Sequence, residues 1–277
     1  MADQPEIASV APQPVLATPG NRDVMRKFAL ALVENAYSKL PKTTGCQRAR
    51  NKDGCGSWCC KVNVPSMFHA EYAYIVENEF VKWPREELVE VMLASVRNYL
   101  SSGLVKGCPM HDPVTLKCRV HNSRPLACRL YGITHKDTWK KREKALKQEF
   151  AGHKDRKSLF RILNQCDLVR TVPEGHRHVN KKLESEVLMD TLNAERQYGV
   201  PEKTIQLMDA PGGSYRAMHD HVLLNSMGPE FMADLTRIRI EEPSPERIEE
   251  IVASVRKAIT APAETVDSPV DEPSAAI

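Results

Sequence analysis

Cys55-Gly56-Ser57-Trp58-Cys59-Cys60 is the densest part of a pattern that begins at Cys46. It continues through Cys108-Pro109-Met110-His111, Cys118-Arg119-Val120-His121 and Cys128-Arg129-Leu130-Tyr131. Seven of the chain's eight cysteines fall in this stretch, and only Cys166 lies outside it. A packed core has little use for so many thiols in so short a run, whereas thiolate sulfur is the strongest soft ligand a protein offers a metal. Gly45, Gly54, Gly56, Gly107, Pro109 and Pro113 interrupt any regular pattern, so residues 42–64 and 104–123 read as loops. Helices on either side would fix the ends of those loops.

Outward from the cysteines the periodicity is helical. Asn21 can cap a helix that runs to Leu40, with Met25, Phe28, Leu32 and Ala36 on one face and Pro41 as its stop. Ser66 can open a second helix carrying Phe68, Tyr72, Ile75 and Val76. Pro84 opens a third, which Gly103 ends. Arg124-Pro125 leads into a short helical turn over 124–132. Further helices are expected at 180–198, 201–209, 213–226 and 244–260. Alternation of the strand type is sparse. The expected fold is mainly α: a small irregular cysteine-rich metal-binding domain on helices, with a helical C-terminal extension. The expected boundaries are a disordered arm at 1–20, the cysteine-cluster domain at 21–135, the extension at 136–261 and a disordered acidic tail at 262–277.

The 277 residues suffice for a substantial core, and the net charge of +3 carries no whole-chain signal for nucleic acid or membrane. Asp3 and Glu6 stand where a secretory leader would be basic, and no apolar run is long enough to span a bilayer. A cytoplasmic protein with no membrane partner is expected, its cysteines kept as thiols. The stretch 136–161 is strongly basic with Trp139, Phe150 and Phe160 interleaved. That composition suits nucleic acid, but it also suits the solvated face of an amphipathic helix with Trp139, Leu146 and Phe150 turned inward, which is the preferred reading.

The spacing bears on the metal. Zinc knuckles come as paired C-x2-4-C units. Cys55 and Cys59 could form one, but no second short pair follows, since nine residues separate Cys108 from Cys118 and Cys118 from Cys128. His111 and His121 leave a mixed zinc site open. An iron–sulfur cluster, of the 4Fe–4S type, tolerates irregular spacing and gains from nearby cations, which Arg119, Arg124 and Arg129 could supply. The adjacency of Cys59 and Cys60 also suits a polynuclear centre. The expected ligands are Cys46, Cys55, Cys59, Cys60, Cys108, Cys118 and Cys128. Arg124 and Arg129 are expected to stabilise the chelate's charge or to cap nearby carbonyls. Cys166 reads as a core residue. The His176/His178 and His219/His221 pairs read as ordinary structural histidines. No P-loop and no dinucleotide fingerprint occurs.

Taken together these motifs resemble the cysteine-cluster family known by its CxxCxxCC pattern, whose members are described as chelators of zinc or iron; flagellin lysine N-methylase carries a related domain. The doublet Cys59-Cys60, the helix opening near Ser66, Cys108-Pro109, the isolated Cys118 and Arg124-Pro125-Leu126-Ala127-Cys128-Arg129-Leu130-Tyr131 carry the resemblance. It covers roughly residues 45–132. The opening of the pattern departs, being spread here over Cys46, Cys55, Cys59 and Cys60. The resemblance implies a metal ion as partner. Three functional classes follow: a metal-binding protein with a structural, redox or metal-handling role; a protein-modifying enzyme such as a lysine N-methylase, with a protein substrate; and a nucleic-acid module using residues 136–161. The first is preferred.

Overall fold

The computed structural model describes residues 22–43, 58–103, 106–115, 117–152, 154, 157, 169–207 and 213–261. Cys46, Cys55 and Cys166 lie outside the described residues, as do the two expected tails. Ten α-helices, one short 3-10 helix (Phe80–Lys82) and four two-residue strands account for the regular structure of the described residues, so the fold is mainly α. In chain order the helices are α1 (Arg22–Ser38), α2 (Trp58–Val62), α3 (His69–Asn78), α4 (Arg85–Leu100) and α5 (Leu126–Leu130). They continue with α6 (Lys136–Glu149), α7 (Lys181–Gln197), α8 (Glu202–Gln206), α9 (Met218–Ile240) and α10 (Pro245–Thr260).

Two cores organise these helices. In the first, α4 lies between α9 and α10. That position explains its broad apolar stripe, with Val89, Val91, Met92, Leu93, Val96, Tyr99 and Leu100 all buried. Helix α10 presents Ile251, Val252, Val255 and Ile259 to it at helical spacing. Its start is set by Ser244, whose hydroxyl accepts the Arg247 N–H, with Pro245 in the first turn. The Arg97–Glu249 and Arg256–Glu90 pairs flank this packing, but they are exposed and add little. Helix α9 is broken at Gly228, whose φ of 85° and ψ of 173° are nearly closed to other residues. Pro229 then starts the second run.

The second core joins α1 to α7 and includes α5. Ala29, Val33, Ala36 and Tyr37 form the buried face of α1, while Met25 and Phe28 are exposed. The expected face was therefore turned by part of a turn. Small side chains on the buried face let α7 come close with Val187, Thr191 and Ala194. Helix α3 belongs to both cores, with Ala70 facing one and Tyr72, Ile75 and Val76 the other. Ser66 does not open α3. It lies in the short strand β2 (Ser66–Met67), paired antiparallel with β4 (Arg216–Ala217), and Phe68 is the residue before the helix. A second antiparallel pair joins β1 (Lys42–Thr43) to β3 (Thr171–Val172). Both cores draw residues from either side of position 135, so the downstream helices pack on the upstream ones. Trp139, Leu146 and Phe150 are buried beneath α6, whose lysines face outward.

Candidate metal centre

Three segments bring cysteines to one place. The doublet lies in the short helix α2, Cys108 and Cys118 bracket a tight loop, and Cys128 lies in α5. Backbone bonds set their positions. The Cys108 N–H donates to the Cys60 carbonyl at 2.6 Å, tying the second segment to the first. Within the loop, His111 and Cys118 form an antiparallel bridge, and the Arg119 N–H donates to the Met110 carbonyl at 2.9 Å. Asn98 of α4 donates its side-chain amide to the Gly107 carbonyl at 2.6 Å, anchoring the loop to the first core. Met110 and Val120 are buried against that core.

Helix α5 is placed from beneath by Glu71 of α3. The Glu71 carboxylate accepts the Leu126 N–H at 2.6 Å, the Phe68 N–H at 3.0 Å and the Tyr37 hydroxyl at 2.7 Å. One buried acid thus holds the start of α5, the start of α3 and α1 together. Burial raises its pKa above the usual carboxylate range, although all three donors favour the ionised form. Glu195 of α7 does a related service, accepting the His69 and Ala70 N–H groups at the N-terminus of α3. Nothing in local periodicity marks Glu71 as a pivot. Its only sequence signal is an acid inside the apolar run Phe68–Val76.

Cys59, Cys60, Cys108, Cys118 and Cys128 all line a single cavity of about 830 Å³. The Cys60 thiol has hydrogen-bonding contacts with Cys118 and Cys59, which, with burial, drive its pKa far upward. Burial raises the Cys108 thiol, and the neighbouring Cys118 adds to the effect. Cys128 is raised by burial and then by Cys108, Cys118 and Cys59, while Arg124 opposes the shift. Several thiolates cannot share one enclosed space without a counter-charge. Among the described residues, no group of three or more Cys, His, Asp or Glu side chains is arranged to hold an ion. The donor chemistry fits a soft or borderline cation, but an ion would have to draw the sulfurs together or recruit ligands beyond the described residues.

The flanking residues divide. Arg124 lines the cavity, and its buried Nε has no hydrogen-bond partner among the described residues. Arg129 turns away, donating to the carbonyls of Arg124 (2.8 Å) and Asn122 and lying 4.0 Å over the Tyr37 ring. It is a carbonyl cap. His121 is exposed and held by Arg124, and His111 is not part of the cavity lining. His178 donates to the Thr134 carbonyl, and His221 donates to the Met67 carbonyl at 2.9 Å, each a structural contact.

The fold and this site define a helical protein with a thiol-lined cavity. Residues 51–148 match the model of the CxxCxxCC family, described as "Putative zinc- or iron-chelating domain". No curated protein and no solved structure matches the chain. No described helix is long and apolar enough to cross a membrane.

Proposed function

We propose that this protein binds iron, as an iron–sulfur cluster, through Cys59, Cys60, Cys108, Cys118 and Cys128, and serves a redox or metal-handling role in the cytoplasm. The observation that carries this reading is the meeting of five cysteines from three separated segments on one cavity wall. Cys46 and Cys55 are the further ligands this reading assigns, on the ground of sequence alone. The adjacent pair Cys59-Cys60 is unusual for simple zinc knuckles and suits a centre with more than one metal atom. Arg124, facing the same cavity, offsets the negative charge of a thiolate-bound cluster. Binding displaces the thiol protons, so it relieves the mutual repulsion that raises the cysteine pKa values. A reducing compartment keeps such thiols available.

The test is metal analysis after anaerobic purification, read together with the visible spectrum. Iron with inorganic sulfide and an absorption band near about 400 nm is expected, as for iron–thiolate charge transfer. Stoichiometric colourless zinc would replace iron in this reading. Absence of both metals, even after reconstitution, would overturn it.

A further inference from the structure

The cavity is far larger than a metal centre needs, and its lining is not all cysteine. The cysteines are only part of it. Phe68, Val120, Leu126 and Leu130 add apolar surface to the wall. Helices α6 and α7 line it too, with Lys141, Arg142 and Lys181, of which the two lysines are exposed and mark an edge. About 830 Å³ is within the range of sites that enclose small organic molecules, roughly 300–1,000 Å³.

The charges at that edge are unevenly matched. Three cations, Lys141, Arg142 and Lys181, face two carboxylates there: Asp137, and Glu184, which accepts the Thr138 hydroxyl at 2.8 Å and the His135 N–H at 3.2 Å. Glu71, deeper in the wall, is saturated by its three donors. Lys141 and Lys181 are exposed, and neither is in an ion pair among the described residues. A cationic edge over an apolar interior selects a molecule with an apolar body and an anionic end.

The geometry points to a binding site for a small organic anion, carboxylate or phosphate, whose charged end rests on Lys141 and Lys181 and whose body extends toward the cysteines. This edge repels a cationic guest, such as an inserted lysine side chain. The inference rests on the metal reading only in that a bound ion keeps the cysteine-lined part of the wall formed.

Titration calorimetry of the full-length, metal-loaded protein with octanoate, octyl phosphate, 1-octanol and octylamine tests it. Both anions should bind, octanol about ten-fold more weakly and octylamine not measurably; the tighter anion names the head group. A Lys141→Gln/Lys181→Gln variant should bind the anions about five-fold more weakly with octanol unchanged, the size expected of two exposed charges. Octylamine binding as well as octanoate, or an unchanged octanoate affinity in the variant, overturns the proposal. Metal content is read on the same samples. Retained metal with unselective binding sinks this inference alone, whereas intact anion selectivity without metal sinks the metal reading alone.

Discussion

Glu71 accepts the backbone N–H of Leu126 at 2.6 Å across 55 residues of chain, so the helix that carries Cys128 is seated on a carboxylate from the centre of the fold. The cysteine-lined part of the cavity is therefore not held by its own loops alone. It is coupled to α3 and, through the Tyr37 hydroxyl, to α1.

Replacing Glu71 by Ala leaves two backbone donors and one phenol buried without partners. The expected loss of stability is about 3 kcal/mol or more, since each orphaned buried donor costs about 1–3 kcal/mol. Glu71→Gln keeps one carbonyl acceptor and should lose about half as much. Chemical denaturation of the three proteins checks the order. An Ala variant as stable as the parent would show that α5 needs no such seat.

Acidification should act through α9. Burial holds His221 and His219 neutral, with pKa values lowered to about 3. The unfolded chain takes up protons below about 6.5 while the folded chain does not, so each histidine removes about 1.4 kcal/mol per pH unit as pH falls from 6.5 toward 3. Glu195 works in the opposite sense. Burial raises it to about 7, so protonation between 7 and 4.5 favours the folded form. A His219→Gln/His221→Gln variant should therefore lose less stability than the parent between pH 6.5 and 5. Denaturant midpoints across that range give the two slopes, and parallel slopes would refute the assignment to these histidines.

Much of this was legible in advance, for physical reasons that differ by element. Helices α4 and α10 carry their own boundaries, in Pro84 and in Ser244-Pro245, and their positions follow from local chemistry. The buried face of α1 was not readable, because its partner α7 lies some 150 residues downstream and selects for small side chains rather than for Met25 or Phe28. Ser66 has the right chemistry for a cap, but its backbone is taken by pairing with Ala217. The cysteines could be grouped from their spacing, whereas the extent of the cavity could not, since part of its lining comes from α6 and α7.

Gly228 sits where α9 breaks, at φ 85° and ψ 173°, with open space around the position a Cβ would occupy. An alanine there meets no clash, and its cost is the backbone conformation alone, about 1–3 kcal/mol. Gly228→Ala should lower the denaturation midpoint by that amount while metal content stays that of the parent, because the break lies among Met227, Phe231 and Leu235 of the first core rather than on the cavity wall. Equal stability would mean that the two runs of α9 can realign.

On the proposed metal reading, Cys128→Ser separates the metal's contribution from that of packing. The serine is nearly isosteric and leaves the Glu71–Leu126 bond and the Arg129 cap in place, so α5 keeps its seat. What is lost is one thiolate. The described parts of the two cysteine loops, α2 and residues 106–115 and 117–123, bury few large apolar side chains beyond Val62, Met110 and Val120. A bound metal in small thiolate domains contributes on the order of 10 kcal/mol to folding, so its loss should be felt there first. The expected outcome is loss of metal, with faster hydrogen exchange in α2 and residues 106–123. Protection in α4 should persist, because α9 and α10 bury it independently of the cysteines. Exchange measured on parent and variant, with metal content assayed in parallel, decides the point. Metal lost with loop protection unchanged would mean that the backbone bonds from Cys108 to Cys60 and from Asn98 to Gly107 hold the loops by themselves.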